Sequence, residues 1–544
     1  MSKARTRSSA TGARSDGRLP SAATILLVGW ATLLLLAPPA APSFWAVNGL
    51  RSLPPTAALG LLLAAGLAAA IPAARARGVP LAWGGAIALA ALTAFPLREQ
   101  THVLGDTQLR LRAIEAASLD VYPAFGSWWA RLHAHPLDVA VNVMLPLLLQ
   151  RLGLSLRDAI SSVSFALALA WLAAWWRLAG RLRVAEELRG ALTLALALSG
   201  VLQAFAGYAE VAGLMAAAAA WWWAELIAPL STRTQAWRTA AAFAVLLLGH
   251  RAGLVMLLPQ MWRALGPAAR DDRPEARRAL AALTLIVLAL VAVSALPMGA
   301  GRQLGADARE LLRSLELWPS RLADFANTLA LVAPLAPFAA VAGRGALAVW
   351  IREPGFAWVA TAAIPLLLAL AWVFPVGDSG LGAMRDWDAN VLLGAALTAG
   401  AGMLLATLPT ARLRATLTAA LPLLVVGALG WVAVNADSEA ATRRALALTG
   451  DASPLTRPQK AHLHAYFGQR GMNERRPDLA ARHFEVAFEL GGNARRALLA
   501  AEAWLVAGDA VGARRMLARA RSGAPLSPEL ERSAAELEAR AGGR

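Results

Sequence analysis

Three short acidic motifs mark points where the chain leaves a hydrophobic run: Gly105-Asp106, Gly207-Tyr208-Ala209-Glu210 and Arg385-Asp386-Trp387-Asp388. A carboxylate fixed at such a point can take a proton from an attacking hydroxyl or ligate a hard cation through oxygen. The motifs are far apart in the chain but fall on one predicted face of a membrane, so folding can bring them together. A fourth polar group interrupts an apolar segment at Gly249-His250-Arg251-Ala252-Gly253. Polar residues inside lipid are costly, and an imidazole beside a guanidinium suits a phosphate or diphosphate.

Each motif also has a plain reading. A lone loop Asp such as Asp106 is ordinarily solvated or part of a turn. Asp386, Trp387 and Asp388 are either a sugar-stacking platform, a pair of metal ligands, or an interfacial Trp with solvated neighbours. His250 and Arg251 can simply cap two half-helices. His133 and His135, followed by Pro136 and Asp138, read as a surface or cleft pair before a metal site. Glu115 and Asp120 read as solvated helix-face charges.

The elements that must position these residues are membrane helices. The chain has 544 residues, of which 58% are hydrophobic, too apolar for a soluble protein with one core. The formal net charge is +17, but Arg falls mainly in short connectors between apolar runs and in both tails. That pattern anchors helices at the cytoplasmic face and argues against nucleic-acid binding. Cys is absent, which excludes disulfides and thiolate metal sites. Lysine occurs only at Lys3 and Lys460, and the Ala, Leu and Arg excess resembles a GC-rich bacterial coding bias.

Residues 1–20 form a basic cytoplasmic tail, and the apolar run 22–42 is long enough to be a retained first span. A cleaved signal peptide is the alternative, because small residues cluster around Pro39 to Ser43. Further apolar runs lie near 56–74 and 79–97, so segment 98–158 is expected outside, with 138–152 as a membrane-skimming helix. The sequence then predicts runs near 161–176, 191–206 and 211–228, a broken hairpin over 239–262, and runs near 279–297, 323–343, 356–375, 391–409 and 415–435. The expectation is an all-α polytopic bundle over 21–436 with about thirteen crossings. The outer loop 298–322, with Arg302, Arg309, Arg313 and Arg321, breaks the charge rule and is a candidate substrate-facing loop.

After Val434 the composition turns polar. Residues 437–458 read as a linker, and 459–544 as a small α-helical repeat domain. Ala480, Phe484 and Ala487 recur as Ala513, Leu517 and Ala520, near the period of about 34 residues of tetratricopeptide repeats. An ordinary helical hairpin bundle is the alternative.

The layout over residues 80–435 resembles the polytopic glycosyltransferases of the GT-C type. The resemblance rests on a Gly-preceded Asp106 after an early span, a juxtamembrane helix beyond it, an acidic turn at Glu210 and a broken hairpin at His250. It implies transfer of a sugar from a polyprenyl-phosphate donor to an extracytoplasmic acceptor. Asp106 would be the catalytic base, with Glu210 and Asp388 as supporting acids or metal ligands. Tyr208, His250, Arg251, Asp386, Trp387 and Asp388 would bind substrate, with His250 and Arg251 at the donor phosphate. Glu210 stands alone where one branch of the family has two acids, and Asp106 lacks the adjacent second acid of another. A divalent metal is therefore compatible with the set but not required by it. The implied location is a bacterial inner membrane, with the N-terminus cytoplasmic and the repeats extracytoplasmic, where they can hold a protein partner or acceptor. A transporter or flippase and a non-catalytic assembly scaffold are the competing classes. Against transport, no inverted repeat is visible and the acids gather at one face.

Overall fold

A computed structural model of the chain describes residues 45–46, 52–72, 79–105, 107, 110–111, 135–267, 271–295, 318–370, 384, 387–451, 453, 455–522 and 525–542. Among these every regular element is helical and none is a strand. The expected first span 22–42, Asp106, His133, the arginines of loop 298–322, Arg385 and Asp386 lie outside the described residues or outside those whose side chains are described.

Two apolar helices, α1 (Pro55–Ala70) and α2 (Val79–Ala94), open the described bundle. Helix α3 (136–151) follows, with a π-helical middle at Ala140–Met144. The Ser155 hydroxyl then caps α4 (Leu156–Arg181), a helix of 26 residues. Helix α5 (Glu186–Ala197) stops early because Ser199 caps a separate 3-10 turn, Gly200–Phe205. Next comes α6 (Val211–Leu226), rich in Ala and buried along nearly its whole length. Small side chains let neighbouring backbones approach closely where lipid gives no hydrophobic drive between helices.

Helix α7 (Arg233–Gly249) ends at His250, a 3-10 turn covers Arg251–Met256, and α8 (Leu257–Leu265) leads back. The polar, Gly-flanked stretch thus breaks the helix where the sequence predicts. Helices α9 (Pro274–Ala295), α10 (Trp318–Val332), α11 (Leu335–Ala342), α12 (Arg344–Trp350) and α13 (Pro354–Leu368) come next. A 3-10 turn at Trp387–Asn390 then leads into α14 (Val391–Ala406), and α15 (Thr410–Ala436) closes the bundle.

The count of crossings differs from expectation. Three helical stretches among the described residues are long and apolar enough to cross a bilayer: Leu156–Arg181, Trp387–Ala406 and Thr410–Ala436. A fourth is added if Leu322–Val332 and Leu335–Ala342, bent by 85°, count as one span. Hydropathy registers apolar composition and not termination. The run at 191–206 is cut by Ser199, the run at 239–262 by His250, and the run at 323–343 by a bend at Ala333-Pro334. A 12-residue helix such as α5 covers only about 18 Å, against a hydrocarbon thickness of about 30 Å.

The stretch expected as a linker contains a helix. Asp437 accepts hydrogen bonds from the Glu439 and Ala440 amides and starts α16 (Ser438–Ala447). Arg444 is buried, stacks 4.2 Å from the Trp431 ring and donates to the Trp45 carbonyl. Helices α17 (Arg457–Asn473), α18 (Pro477–Gly491), α19 (Ala494–Val506), α20 (Ala510–Arg521) and α21 (Pro528–Gly542) form a hairpin array with its own core around Phe484, Leu517 and Leu537. Its first helix also belongs to the bundle: Leu463, Tyr466 and Phe467 pack in the main hydrophobic core.

Candidate functional site

The loop after α2 is seated by backbone contacts. The Glu99 amide donates to the Ala206 carbonyl at 2.8 Å and the Gln100 amide to the Asn435 carbonyl at 3.1 Å. Arg98 pairs with Asp158 at the start of α4, 2.7 Å away. From the hairpin array, the Tyr466 hydroxyl donates to the Thr101 carbonyl. These ties bring Gly105 against the turn that precedes α6. Gly105 has φ +51°, and a Cβ added there would overlap the Tyr208 hydroxyl and lie 2.6 Å from Glu210 Oε1. Only glycine combines that backbone angle with that approach.

Tyr208 is the hub. Its ring is 2% exposed, and its hydroxyl donates to Asp388 Oδ2 at 3.2 Å. Trp387 is fully buried with its ring 6.1 Å from that of Tyr208, so it backs the tyrosine and does not offer an open stacking face. Glu210 is buried at the N-cap of α6 without a side-chain capping bond, where the helix dipole favours a carboxylate. Residues from all three acidic motifs thus meet: Gly105, Tyr208 with Glu210, and Asp388. Asp106, the neighbour of Gly105, and Asp386 lie outside the described residues.

His250 caps the 3-10 turn, its Nδ1 accepting from the Ala252 amide at 3.1 Å. The proton of the neutral ring is then on Nε2, which remains a donor. The capping reading of His250 therefore holds, and it leaves the second nitrogen for a ligand. His250 stacks flat on His135, with ring centroids 4.4 Å apart and planes 4° from parallel. Burial, helped by the neighbouring His250 ring, lowers the His135 pKa to about 4, so this imidazole is neutral at physiological pH.

One helical turn on, Asp138 is held by both Arg110 guanidinium nitrogens at 2.9 and 3.0 Å and by the Asn142 amide at 2.8 Å. Burial would raise the Asp138 pKa, but the Arg110 guanidinium outweighs it and holds the carboxyl below its ordinary range. Arg110 is five residues beyond Gly105, so their Cα atoms are at most about 18 Å apart. One loop therefore links the tyrosine hub to the histidine stack. Sequence reasoning undervalues this second cluster: His135 and Asp138 are visible as a polar pair flanking Pro136, but their partners His250 and Arg110 are not.

Among the described residues no group of three or more His, Asp or Glu could hold a metal ion. The hub presents two described carboxylates, Glu210 and Asp388, with Asp106 outside that set. No family model, curated protein or solved structure matches the chain.

Proposed function

We propose that the chain is a membrane glycosyltransferase of GT-C type, moving a sugar from a polyprenyl-phosphate donor to an acceptor outside the cytoplasm. The observation that carries this reading is the meeting of residues from the three acidic motifs at Tyr208: Gly105 lies against its hydroxyl and against Glu210, and Asp388 accepts from it. Attack of an acceptor hydroxyl on an anomeric carbon requires a base for the hydroxyl proton, and a carboxylate suits that task. In this reading Asp106 takes the proton. Glu210 and Asp388 set the charge around it, and Tyr208 orients Asp388.

The leaving group is a lipid phosphate or diphosphate. His250 can donate from Nε2 to a phosphate oxygen, and Arg251 supplies positive charge beside it. The hairpin array, read as degenerate tetratricopeptide-like repeats, is joined to the loop through Tyr466 and Thr101, and in this reading it presents a protein acceptor or partner. A bacterial inner membrane with the loop and the array facing outward completes the proposal. The test is release of undecaprenyl phosphate from lipid-linked sugars by the purified full chain. Absence of release across a donor panel, with lipid-linked sugar instead crossing vesicle bilayers, would favour the flippase reading.

A further inference from the structure

A second built site lies at the far end of α6. Glu210 stands at the N-cap position and Glu225 near the other end, about 22 Å further along the helix axis. Glu225 is 4% exposed. It accepts from Arg177 Nε at 2.6 Å, from Arg181 Nη2 at 2.9 Å and from the Gln235 amide at 2.8 Å. Burying a lone carboxylate is costly, and two guanidiniums and an amide offset that cost.

The cations outnumber the buried acid. Arg189, from α5, stacks 4.3 Å from the Trp176 ring. Among the described carboxylates it reaches only the rim Glu186, at 3.7 Å. Arg177 engages Glu225 through Nε, which leaves both Nη groups for a ligand. Arg177, Arg181 and Arg189, with Trp176 and Trp221, line a cavity of about 410 Å³. Gly180 completes it, because a Cβ there would come within 2.6 Å of Arg189 Nη2.

We propose that this groove binds the phosphate headgroup of an anionic membrane lipid. Guanidinium forks match phosphate oxygens, tryptophans settle where headgroups meet acyl chains, and basic pockets between membrane helices hold such headgroups. The groove is walled by α4, one of the helices long and apolar enough to cross a bilayer. A free phosphate compound shares the headgroup chemistry but has no use for the two indole walls. The site is distinct from the tyrosine hub and does not depend on the transferase reading.

The test uses the full chain in a neutral detergent, with thermal unfolding followed by tryptophan fluorescence. Added phosphatidylglycerol raises the midpoint in a saturable way, and phosphatidylcholine gives a smaller rise. Arg189→Gln, which leaves Glu225 with both of its arginines, weakens the apparent affinity roughly fivefold, as expected for one cation at a charged headgroup. Gly180→Ala weakens it without changing charge, by displacing Arg189. Arg177→Lys weakens it less than Arg189→Gln. An unsaturable response in the wild type, or equal phosphatidylglycerol affinity in Arg189→Gln, overturns the proposal. Saturation by inorganic phosphate alone, with no added effect of lipid, overturns the lipid assignment.

Discussion

Replacing Gly105 by alanine tests the geometry on which the site rests. Two costs add. At φ +51° an alanine bears a left-handed backbone penalty of about 1–2 kcal/mol. The new methyl would also overlap the Tyr208 hydroxyl. The buried ring is backed by Trp387, so relief means giving up the bond to Asp388, a hydrogen bond to a charged group worth roughly 1.5–3 kcal/mol. The expected loss is therefore about 2.5–5 kcal/mol. Gly492→Ala supplies the comparison: φ is +63° and nothing lies within 4 Å, so only the backbone cost of about 1–2 kcal/mol applies. Unfolding would be followed by circular dichroism in detergent for both variants. A third measurement places Gly105→Ala in a Tyr208→Phe background, where the hydroxyl is gone and the penalty shrinks. If Gly105→Ala costs no more than Gly492→Ala, or costs as much in the Tyr208→Phe background as with the tyrosine in place, the loop is not seated against the hub.

Four further outcomes follow from the same contacts. Asp106→Asn lowers turnover by ~10²- to 10⁴-fold while donor binding survives; near-wild-type turnover in a donor-cleavage assay would remove Asp106 as the base. Arg251→Ala weakens donor affinity with little change in stability, whereas His250→Ala also loses the cap on the 3-10 turn, about 1 kcal/mol; equal melting of the two in the absence of donor would contradict the capping geometry. Truncation after Asp451 strips Leu463, Tyr466 and Phe467 from the bundle core and frees Thr101, so limited proteolysis should cut the loop after α2 faster in the shortened chain. Burial lowers the pKa of His102, His135 and His464 to about 4, helped by Arg157 and Arg470 at His102, by His250 at His135 and by His483 at His464. Each folded pKa lies below the unfolded value, so the stability they contribute is complete above pH ~6.5 and falls toward pH ~4 by up to about 1.4 kcal/mol per unit for each. An unfolding midpoint that stays flat from pH 7 to 4.5 would refute this.

The all-helical class was legible because apolar runs of span length dominate the chain, and the break at His250 was legible because polar residues flanked by glycines cannot continue a buried helix. The crossing number was not. Whether an apolar run stays one helix depends on capping by single residues such as Ser199, and on bends such as the one at Ala333-Pro334, which barely change a hydropathy average. Helix α16 was missed for a related reason. In a polar stretch Arg444 reads as solvated, yet the fold buries it against Trp431.

At the site, the acidic motifs stood out because carboxylates are rare beside membrane runs. Their partners were hidden, since a pairing such as Arg110 with Asp138 or His135 with His250 joins residues with no local periodicity between them. The seating of Gly105 was hidden more deeply. It depends on the carbonyls of Ala206 and Asn435, which accept from the loop amides, and every residue type offers the same carbonyl. The sequence can therefore mark the acidic motifs as candidates, but what seats Gly105 is backbone, supplied by the 3-10 turn before α6 and the end of α15. Substitutions that leave every acidic side chain intact but shift those two carbonyls should disturb the hub as much as loss of Glu210.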